Sequence, residues 1–231
     1  MAGEIIKTKG IVLLIRPYSR TSHVVTWLTP DHGPVATLVK GAVRPKSAFL
    51  GQYDLFYTCE LLYYAHASGD LHALREAVPE VRRDALRGRW RETSLAGYAA
   101  ELMRALAPAN GEARSWYDFL THVLDELAAE PQPRVSPKRA LVKLEMGLLN
   151  LAGVAPDFSG LDAHAEWTPF AVDLGRCGEG ARTIRVSPKT VTALRGGLNG
   201  DEETAIRFLG LFLPFHLEQS PDMRRSLVAL L

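Results

Sequence analysis

The chain has 231 residues, enough for one large core or two modest ones, and its 47% hydrophobic and 23% charged residues exclude a disordered protein. The longest apolar stretches, such as residues 11–15, are far shorter than the roughly 20 residues that a membrane-spanning helix needs. No secretory leader is recognisable, and two cysteines far apart in sequence, Cys59 and Cys177, favour a reducing compartment. We therefore expect a cytoplasmic protein without a membrane partner.

The net charge of +1 conceals an uneven distribution of charge along the chain. Residues 1–50 contain seven bases and two acids, whereas the rest of the chain contains 20 bases and 24 acids. A basic N-terminal segment is typical of proteins that bind a polyanion, although a solvated charged surface gives the same count. Charge alone leaves both interpretations open.

The first eighty residues are predicted to form five short strands separated by turns. β-branched and aromatic residues are dense in residues 4–17, 22–29, 34–40, 53–64 and 71–78. Alternate residues of the fourth strand share one face, which we expect to line a core: Leu55, Tyr57, Cys59, Leu61 and Tyr63. Since closure removes exposed strand edges, residues 1–80 predict a small barrel of the OB or SH3-like type.

From Pro79 onward the hydrophobic period becomes helical, which predicts a helical domain over residues 81–231. The clearest amphipathic stripe lies between Trp116 and Leu127. Three later helices are predicted to begin after capping residues, namely Ser136, Ser187 and Asp201. The last two caps open helices over residues 188–196 and 201–218, with a final helix over 221–230.

Motifs of the common enzyme classes are missing from the sequence, which has no P-loop, nucleophile elbow, HExxH or paired CxxC. Residues 175–180 are glycine-rich, but no lysine-bearing helix follows, so a turn is favoured over a phosphate loop. His66, Asp70 and His72 surround a predicted turn without a fourth ligand, which favours a surface turn over a metal site. An enzyme site formed by Asp70, His72 and Glu76 is kept as a rival hypothesis.

The cations of the N-terminal segment lie where a barrel can contact a nucleic-acid strand. Tyr18 stands between two arginines in the first turn, where it can stack on a base, and residues 40–47 predict a flexible basic loop. The alternative is that the bases are solvated and that Tyr18 covers an end of the barrel. We predict that eight residues bind single-stranded nucleic acid: Lys7, Lys9, Arg16, Tyr18, Arg20, Lys40, Arg44 and Lys46.

Several segments, taken in order and spacing, resemble the RecO family of bacterial recombination mediators. Residues 10–13, 26–33 and 40–47 are similar to the start of the family's OB barrel. Residues 143–149, followed by Ala152-Gly153-Val154-Ala155-Pro156-Asp157, are similar to its central helix and the exit from it. Residues 215–216 and 223–226 also match the family, so the resemblance extends over essentially the whole chain.

This resemblance implies a non-enzymatic, nucleoid-associated bacterial protein that binds single- and double-stranded DNA and anneals complementary strands. It also implies help in loading the RecA recombinase onto DNA coated by single-strand-binding protein. The implied partners are RecR and the acidic C-terminal tail of single-strand-binding protein. That tail needs a cation beside an apolar groove, for which Lys143 and Arg139 are candidates, although both are equally explained as solvated helix charges. The alternative function is that of an OB-fold protein acting on single-stranded RNA.

One departure from the family concerns zinc. Many members carry two CxxC pairs after the central helix, and these form a zinc site. The matching segments here, residues 161–164 and 177–180, keep only His164 and Cys177 as possible ligands, and two ligands do not hold a structural zinc. We expect no cofactor and a degenerate, metal-free zinc-ribbon hairpin over residues 154–186, packed by Trp167, Phe170 and Leu174. The predicted fold class is thus α+β, an OB barrel followed by a helical domain containing this hairpin.

Overall fold

A computed structural model of the chain describes residues 4–66, 69–109, 111–129, 136–217 and 223–231. The first strands are β1 (Glu4–Ser19), β2 (Ser22–Thr29), β3 (Gly33–Val39), β4 (Thr58–Ala65) and β5 (Leu71–Val81). Two helices follow, α1 (Trp90–Leu106) and α2 (Arg114–Ala128). The remaining elements are α3 (Pro137–Leu151), β6 (Thr168–Ala171), β7 (Arg176–Cys177), β8 (Thr183–Val186), α4 (Pro188–Leu194), α5 (Glu202–His216) and α6 (Met223–Leu230).

The chain forms two compact units, Met1–Glu130 and Pro131–Leu231. Helices α1 and α2 therefore belong to the same unit as the first five strands. The boundary predicted after residue 80 lies next to the end of the last barrel strand at Val81. That it divides two domains stays a prediction. Within the described ranges, none of the helices combines the length and apolar character needed to cross a membrane.

The first five strands close into a barrel in the order β1-β2-β3-β5-β4. β1 is long enough to pair with β4 through its first half and with β2 through its second half. The contact between β3 and β5 is parallel, with Ala36 opposite Leu71, whereas the other pairs are antiparallel. This is the arrangement of an OB barrel, so the predicted OB barrel within an α+β chain is confirmed.

Trp27 lies at the centre of the barrel core. Its side chain is fully buried, and its indole Nε1–H donates to the Thr37 hydroxyl at 2.8 Å, which satisfies both buried polar groups. Gly10 passes directly beside it: a Cβ atom at this position would lie 2.5 Å from Cδ1 of Leu61 and 3.2 Å from Cβ of Trp27. Only glycine therefore allows β1 to approach the core this closely.

The predicted fourth strand begins too early. The structure starts β4 at Thr58, because Phe56 has φ of +67° and turns the chain sharply before the strand. Tyr57, Cys59, Leu61 and Tyr63 are buried as predicted, but Leu55 precedes the turn and is 42% exposed. Of the five predicted residues, β4 itself carries three, and Tyr57 is buried just before the strand begins.

Because Cys59 is buried in the barrel core, we expect its thiol to be less reactive than that of Cys177. Burial raises the pKa of the Cys59 thiol to about 12, so roughly one thiol in ten thousand is ionised at pH 8. Cys177 is only half-buried, although burial raises the pKa of its thiol as well. With a thiol reagent at pH 8, we expect Cys177 to react first and Cys59 to react only when the barrel unfolds. Rapid labelling of both thiols in the native protein, followed by peptide mass analysis, would contradict this expectation.

The second unit is organised around an aromatic cluster between α5 and the small sheet. Phe170 of β6 contacts Phe158, Phe208 and Phe212 with ring centroids 5.1–6.2 Å apart. The three predicted caps are confirmed, because side-chain oxygens of Ser136, Ser187 and Asp201 accept the backbone N–H three residues later. These caps fix where α3, α4 and α5 begin.

The small sheet has three antiparallel strands in the order β7-β6-β8. Phe170 is fully buried as expected, but Trp167 and Leu174 are 42% and 51% exposed, so the predicted packing by these two residues is wrong. Trp167 directly precedes β6 and Leu174 follows it, so neither lies on the strand itself. The identification of this sheet as a zinc-ribbon remnant stays a prediction.

Candidate nucleic-acid interface

Two basic segments of the barrel meet at one end. The loop after β3 is attached to the β1–β2 turn because the Val43 N–H donates to the Thr21 carbonyl and the Gly41 N–H donates to the Ser22 hydroxyl, each at 3.3 Å. This attachment brings together six of the eight residues predicted to bind nucleic acid. We call these six the basic rim: Arg16, Tyr18, Arg20, Lys40, Arg44 and Lys46.

The basic loop of the rim is held in tight turns. Gly41 has φ of +70°, a conformation that favours glycine, and its carbonyl accepts the Arg44 N–H at 3.2 Å. The Arg44 carbonyl in turn accepts the Ser47 N–H at 2.9 Å. The backbone between these residues is therefore held by its own hydrogen bonds. The conformation of the loop thus does not depend on ion pairs of Arg44 or Lys46.

The far part of the loop is anchored to β2 by Tyr53. Its hydroxyl lies 2.9 Å from Nδ1 of His23, and its ring packs edge-on against Trp27 with centroids 6.1 Å apart. Burial raises the pKa of Tyr53 to about 12, so this hydroxyl stays neutral and available for the hydrogen bond at physiological pH. The loop is consequently tied to the barrel at both of its ends.

The basic rim carries positive charge that local acids do not neutralise. Residues 16–24 and 39–53 contain no Asp or Glu. The cations of the rim are exposed, and none forms an ion pair with any residue that the structure describes. Tyr18 is 61% exposed among them. Exposed cations on the same surface as an exposed aromatic ring are the combination that binds phosphates and stacks a base in single-strand-binding sites.

Lys7 and Lys9 are placed differently from the rim. Both lie on the part of β1 that pairs with β4, where Nζ of Lys7 is 3.5 Å from Glu60 and Nζ of Lys9 is 2.8 Å from Glu80. The hydrogen bond and charge of Glu80 raise the pKa of the Lys9 ammonium. Because these cations already face acids, they contribute less net positive potential than the rim does. Their role in binding nucleic acid stays a prediction.

Arg139 and Lys143 line a cleft of about 690 Å³ in the second unit. Its apolar lining includes Met146, Pro156 and Phe158. Arg139 is largely committed to the fold, since it donates to the carbonyls of Gly197 and Leu198 and pairs with Glu202 at 3.1 Å. The cleft thus combines an apolar floor with Lys143 and with one arginine that also holds a loop in place.

Sequence reasoning missed a third cation of this cleft. Arg195 follows α4, lines the cleft and is exposed, and it forms no ion pair with the described residues. The signal available in the sequence was its position directly after the last turn of a capped helix, where a basic side chain is favoured by the helix dipole. The position of Arg195 in the sequence does not show that its side chain lies beside residues of α3.

The residues at the expected zinc positions do not fit a zinc site. A Cβ atom at Gly180 would lie 2.6 Å from Cβ of Ala171, so this position has no room for a ligand side chain. The turn there is closed instead by Asp173, whose carboxylate accepts the N–H groups of Ala181 and Arg182 at 3.0 and 3.1 Å. These hydrogen bonds lower the pKa of Asp173. His164 and Cys177 stay the only remnants of the pattern, and the described residues include no cluster of three or more His, Cys, Asp or Glu suited to a metal.

His72, which was considered for a metal or enzyme site, makes structural contacts within the barrel. His72 stacks on Tyr63 with ring centroids 5.4 Å apart, and its Nδ1 accepts the His66 N–H at 3.2 Å. Burial lowers the pKa of His72, which keeps the ring neutral and able to accept this bond. The geometry gives His72 a structural role beside the end of β4.

Comparison with known proteins identifies the family. The family models "Recombination protein O N terminal" and "Recombination protein O C terminal" match residues 1–80 and 87–225. The DNA repair protein RecO of Anaeromyxobacter sp. (strain K) is 34% identical over 204 residues, which cover 82% of this chain and 77% of the relative. The DNA repair protein RecO of Hamiltonella defensa is 32% identical over 231 residues, or 95% of both chains. The chain therefore belongs to the RecO family of DNA repair and recombination proteins.

Proposed function

We propose that this protein is a non-enzymatic recombination mediator of the bacterial cytoplasm and nucleoid, which binds single- and double-stranded DNA and anneals complementary strands. The observation that carries the proposal is the basic rim, in which five exposed cations that form no ion pair with the described residues share one end of an OB barrel with the exposed ring of Tyr18. Membership of a DNA repair family favours DNA as the polyanion. The comparisons give no support to the alternative of an RNA-binding protein.

The proposed mechanism is electrostatic and needs no nucleotide hydrolysis. Phosphates that contact the rim release condensed counterions, which gives an affinity that falls steeply with salt. A strand whose charge is partly neutralised repels its complement less, so the two strands meet more often in register. Tyr18 adds a stacking surface that does not depend on base sequence.

Annealing of complementary oligonucleotides tests this function directly. The full-length protein is expected to accelerate annealing roughly tenfold or more at low salt, with the acceleration lost as salt screens the rim. Non-complementary strands provide the control. Annealing at the uncatalysed rate at low salt, with the protein folded, would rule the function out.

We also propose that the protein assists loading of RecA onto DNA coated by single-strand-binding protein, with RecR as a further partner. The cleft lined by Lys143 and Arg195 supports a site for the acidic tail of single-strand-binding protein, because it places cations beside an apolar floor. In this arrangement an aromatic side chain of the tail occupies the floor and a carboxylate contacts the cations. Arg139 binds the two carbonyls that follow Gly196, a residue of the cleft lining.

Titration with a tail peptide tests the cleft. Lys143→Ala and Arg195→Ala are each expected to weaken peptide binding roughly tenfold, the effect of losing one hydrogen bond to a charged group. Lys189→Ala is the matched control, because Lys189 is an exposed cation of α4 that does not line the cleft. Equal affinity for all three variants and the unaltered protein, measured by fluorescence anisotropy, would place the tail elsewhere.

A further inference from the structure

A second cationic segment of the first unit lies between the barrel and α1. Residues 82–91 contain five arginines and a single acid, Asp84. Such density of arginine within ten residues exceeds what one short connection needs for solubility. The five arginines are Arg82, Arg83, Arg87, Arg89 and Arg91.

Three of the five arginines stabilise the fold. Arg83 is 5% exposed and donates to the Phe56 carbonyl at 2.7 Å, with a further bond from Nε to Asp125 at 2.8 Å. Arg87 is paired with Asp54, and Arg89 donates to the Ala129 carbonyl at 2.8 Å. These side chains are therefore committed to internal contacts, which accounts for their presence without any ligand.

The other two arginines, Arg82 and Arg91, are exposed and form no ion pair with the residues that the structure describes. Each lies over an aromatic ring instead. The Arg91 guanidinium carbon is 4.5 Å from the centroid of Trp90, and that of Arg82 is 5.9 Å from Tyr57. Both arginines that lack an ion pair among the described residues thus contact an aromatic side chain.

Trp90 is the second unusual feature of this surface. It is 53% exposed, whereas Trp27 and Trp116 of the same unit are buried. The exposed indole presents a large aromatic ring to solvent. An exposed indole with an arginine beside it, in a segment that carries a second exposed arginine, is suited to stacking a base while the arginines contact phosphates of the same strand. We call Arg82, Trp90 and Arg91 the arginine–tryptophan surface.

This surface is distinct from the basic rim. Arg82 follows Val81, which pairs with Thr58, and Thr58 pairs with Ile11 of β1. Arg16, the first residue of the rim, lies five residues beyond Ile11 along β1, which is at most about 17 Å at the usual rise of a β-strand. The intervening residues of β1 carry no charge. This separation is at most about twice the Debye length of about 8 Å at physiological salt, so salt screens much of the repulsion between strands on the two surfaces.

We propose that the arginine–tryptophan surface is a second contact for single-stranded DNA, which holds the complementary strand while the rim holds the first. The inference rests on the annealing function proposed above. One surface cannot hold two strands without bringing their phosphates together, whereas two surfaces of one compact unit raise the local concentration of the second strand. Base stacking on Trp90 would hold the second strand without preference for its base sequence.

A triple variant of the full-length protein, Arg82→Ala/Trp90→Ala/Arg91→Ala, tests the proposal. All three side chains are exposed, so the fold is expected to persist. The annealing rate is expected to fall at least fivefold, since loss of one stacked base alone weakens binding by about that factor. The affinity of the rim for one short strand is expected to change less than about twofold. Arg104→Ala, an exposed arginine of α1, is the control and is expected to change neither quantity.

Tryptophan emission provides a direct readout that a structural effect of the variant would not mimic. In a Trp167→Phe background, Trp90 is the exposed indole among the tryptophans, and stacking of oligo(dT) is expected to quench its emission. The quenching is expected to disappear when Trp90→Phe is added. Quenching that persists in the double variant, or annealing unchanged in the triple variant, would overturn the second contact. A different result would contradict the proposed annealing function itself, namely that variants of the basic rim bind and anneal DNA as the unaltered protein does.

Discussion

Reversing three charges of the basic rim in one variant, Lys40→Glu/Arg44→Glu/Lys46→Glu, is expected to lower the affinity for single-stranded DNA at least about a hundredfold. Three phosphate contacts are lost and three repulsive charges replace them within the Debye length of the bound strand. All three side chains are exposed, and the turn at Gly41 depends on backbone hydrogen bonds, so the fold is expected to stay intact. Fluorescence anisotropy with labelled oligo(dT) at low salt measures the loss, and circular dichroism checks the fold.

Lys7 and Lys9 provide the matched control for that variant. Their ammonium groups already face Glu60 and Glu80, so Lys7→Gln/Lys9→Gln is expected to reduce affinity less than about threefold. If the two variants weaken binding equally, the strand runs along β1 and β4 and the rim is not its main contact. If the rim variant binds as tightly as the unaltered protein, the rim does not bind DNA.

Arg224→Met is expected to destabilise the second unit by about 3–5 kcal/mol, the usual effect of removing one partner of a buried ion pair. Glu145 of α3 is fully buried, and Arg224 of α6 binds its carboxylate through two hydrogen bonds, of 2.7 and 2.9 Å. The same guanidinium donates to the Ile206 carbonyl of α5 at 2.9 Å, so it connects three helices. The substitution keeps most of the side-chain volume while removing these bonds, and urea unfolding measures the change.

Arg225→Met is the control, because Arg225 is the adjacent, exposed arginine of the same helix. Its substitution is expected to change the free energy of unfolding by less than about 0.5 kcal/mol. The double variant Glu145→Leu/Arg224→Leu is expected to recover much of the stability, since an apolar pair leaves no buried charge. Equal unfolding midpoints for Arg224→Met and Arg225→Met would show that the pair does not support the packing of α6.

The strands of the barrel were largely predictable because each has its own local pattern. Alternation between buried and exposed residues places β1, β2, β3 and β5 close to their observed positions. The start of β4 was not predictable, because it depends on Phe56 adopting a positive φ that is rare for a bulky residue. The Phe56 N–H donates to the Val12 carbonyl at 3.0 Å, a contact with a distant strand that no local pattern shows.

The candidate interface was predictable as a set of residues but not as an arrangement. The sequence places the basic rim and the pair Lys7 and Lys9 in one basic segment, whereas the structure separates them. What distinguishes the two lysines is the register of β1 against β4 and β5, which brings Glu60 and Glu80 beside them. Register depends on the closed barrel and not on the spacing of charges along the chain.

Contacts distant in sequence explain the remaining omissions. Arg224 and Glu145 are 79 residues apart, and Arg83 and Asp125 are 42 apart, so neither pair could be assigned before the helices were packed. The arginine-rich segment 82–91 was visible in the sequence, but only the structure shows that three of its arginines bind internal partners while Arg82 and Arg91 form no ion pair with the described residues. The exposure of Trp90 likewise depends on which face of α1 packs against the barrel unit.

The salt dependence of single-strand binding tests the central claim most directly, because it counts the phosphates that the protein neutralises. Five cations of the rim predict that log affinity falls against log salt with a slope of about −3.5 for a single strand. In Lys40→Ala/Arg44→Ala/Lys46→Ala the slope is expected to become shallower by about 2, since three contacts are lost. An identical slope in the variant and the unaltered protein would show that DNA binds elsewhere and would contradict the account of the rim.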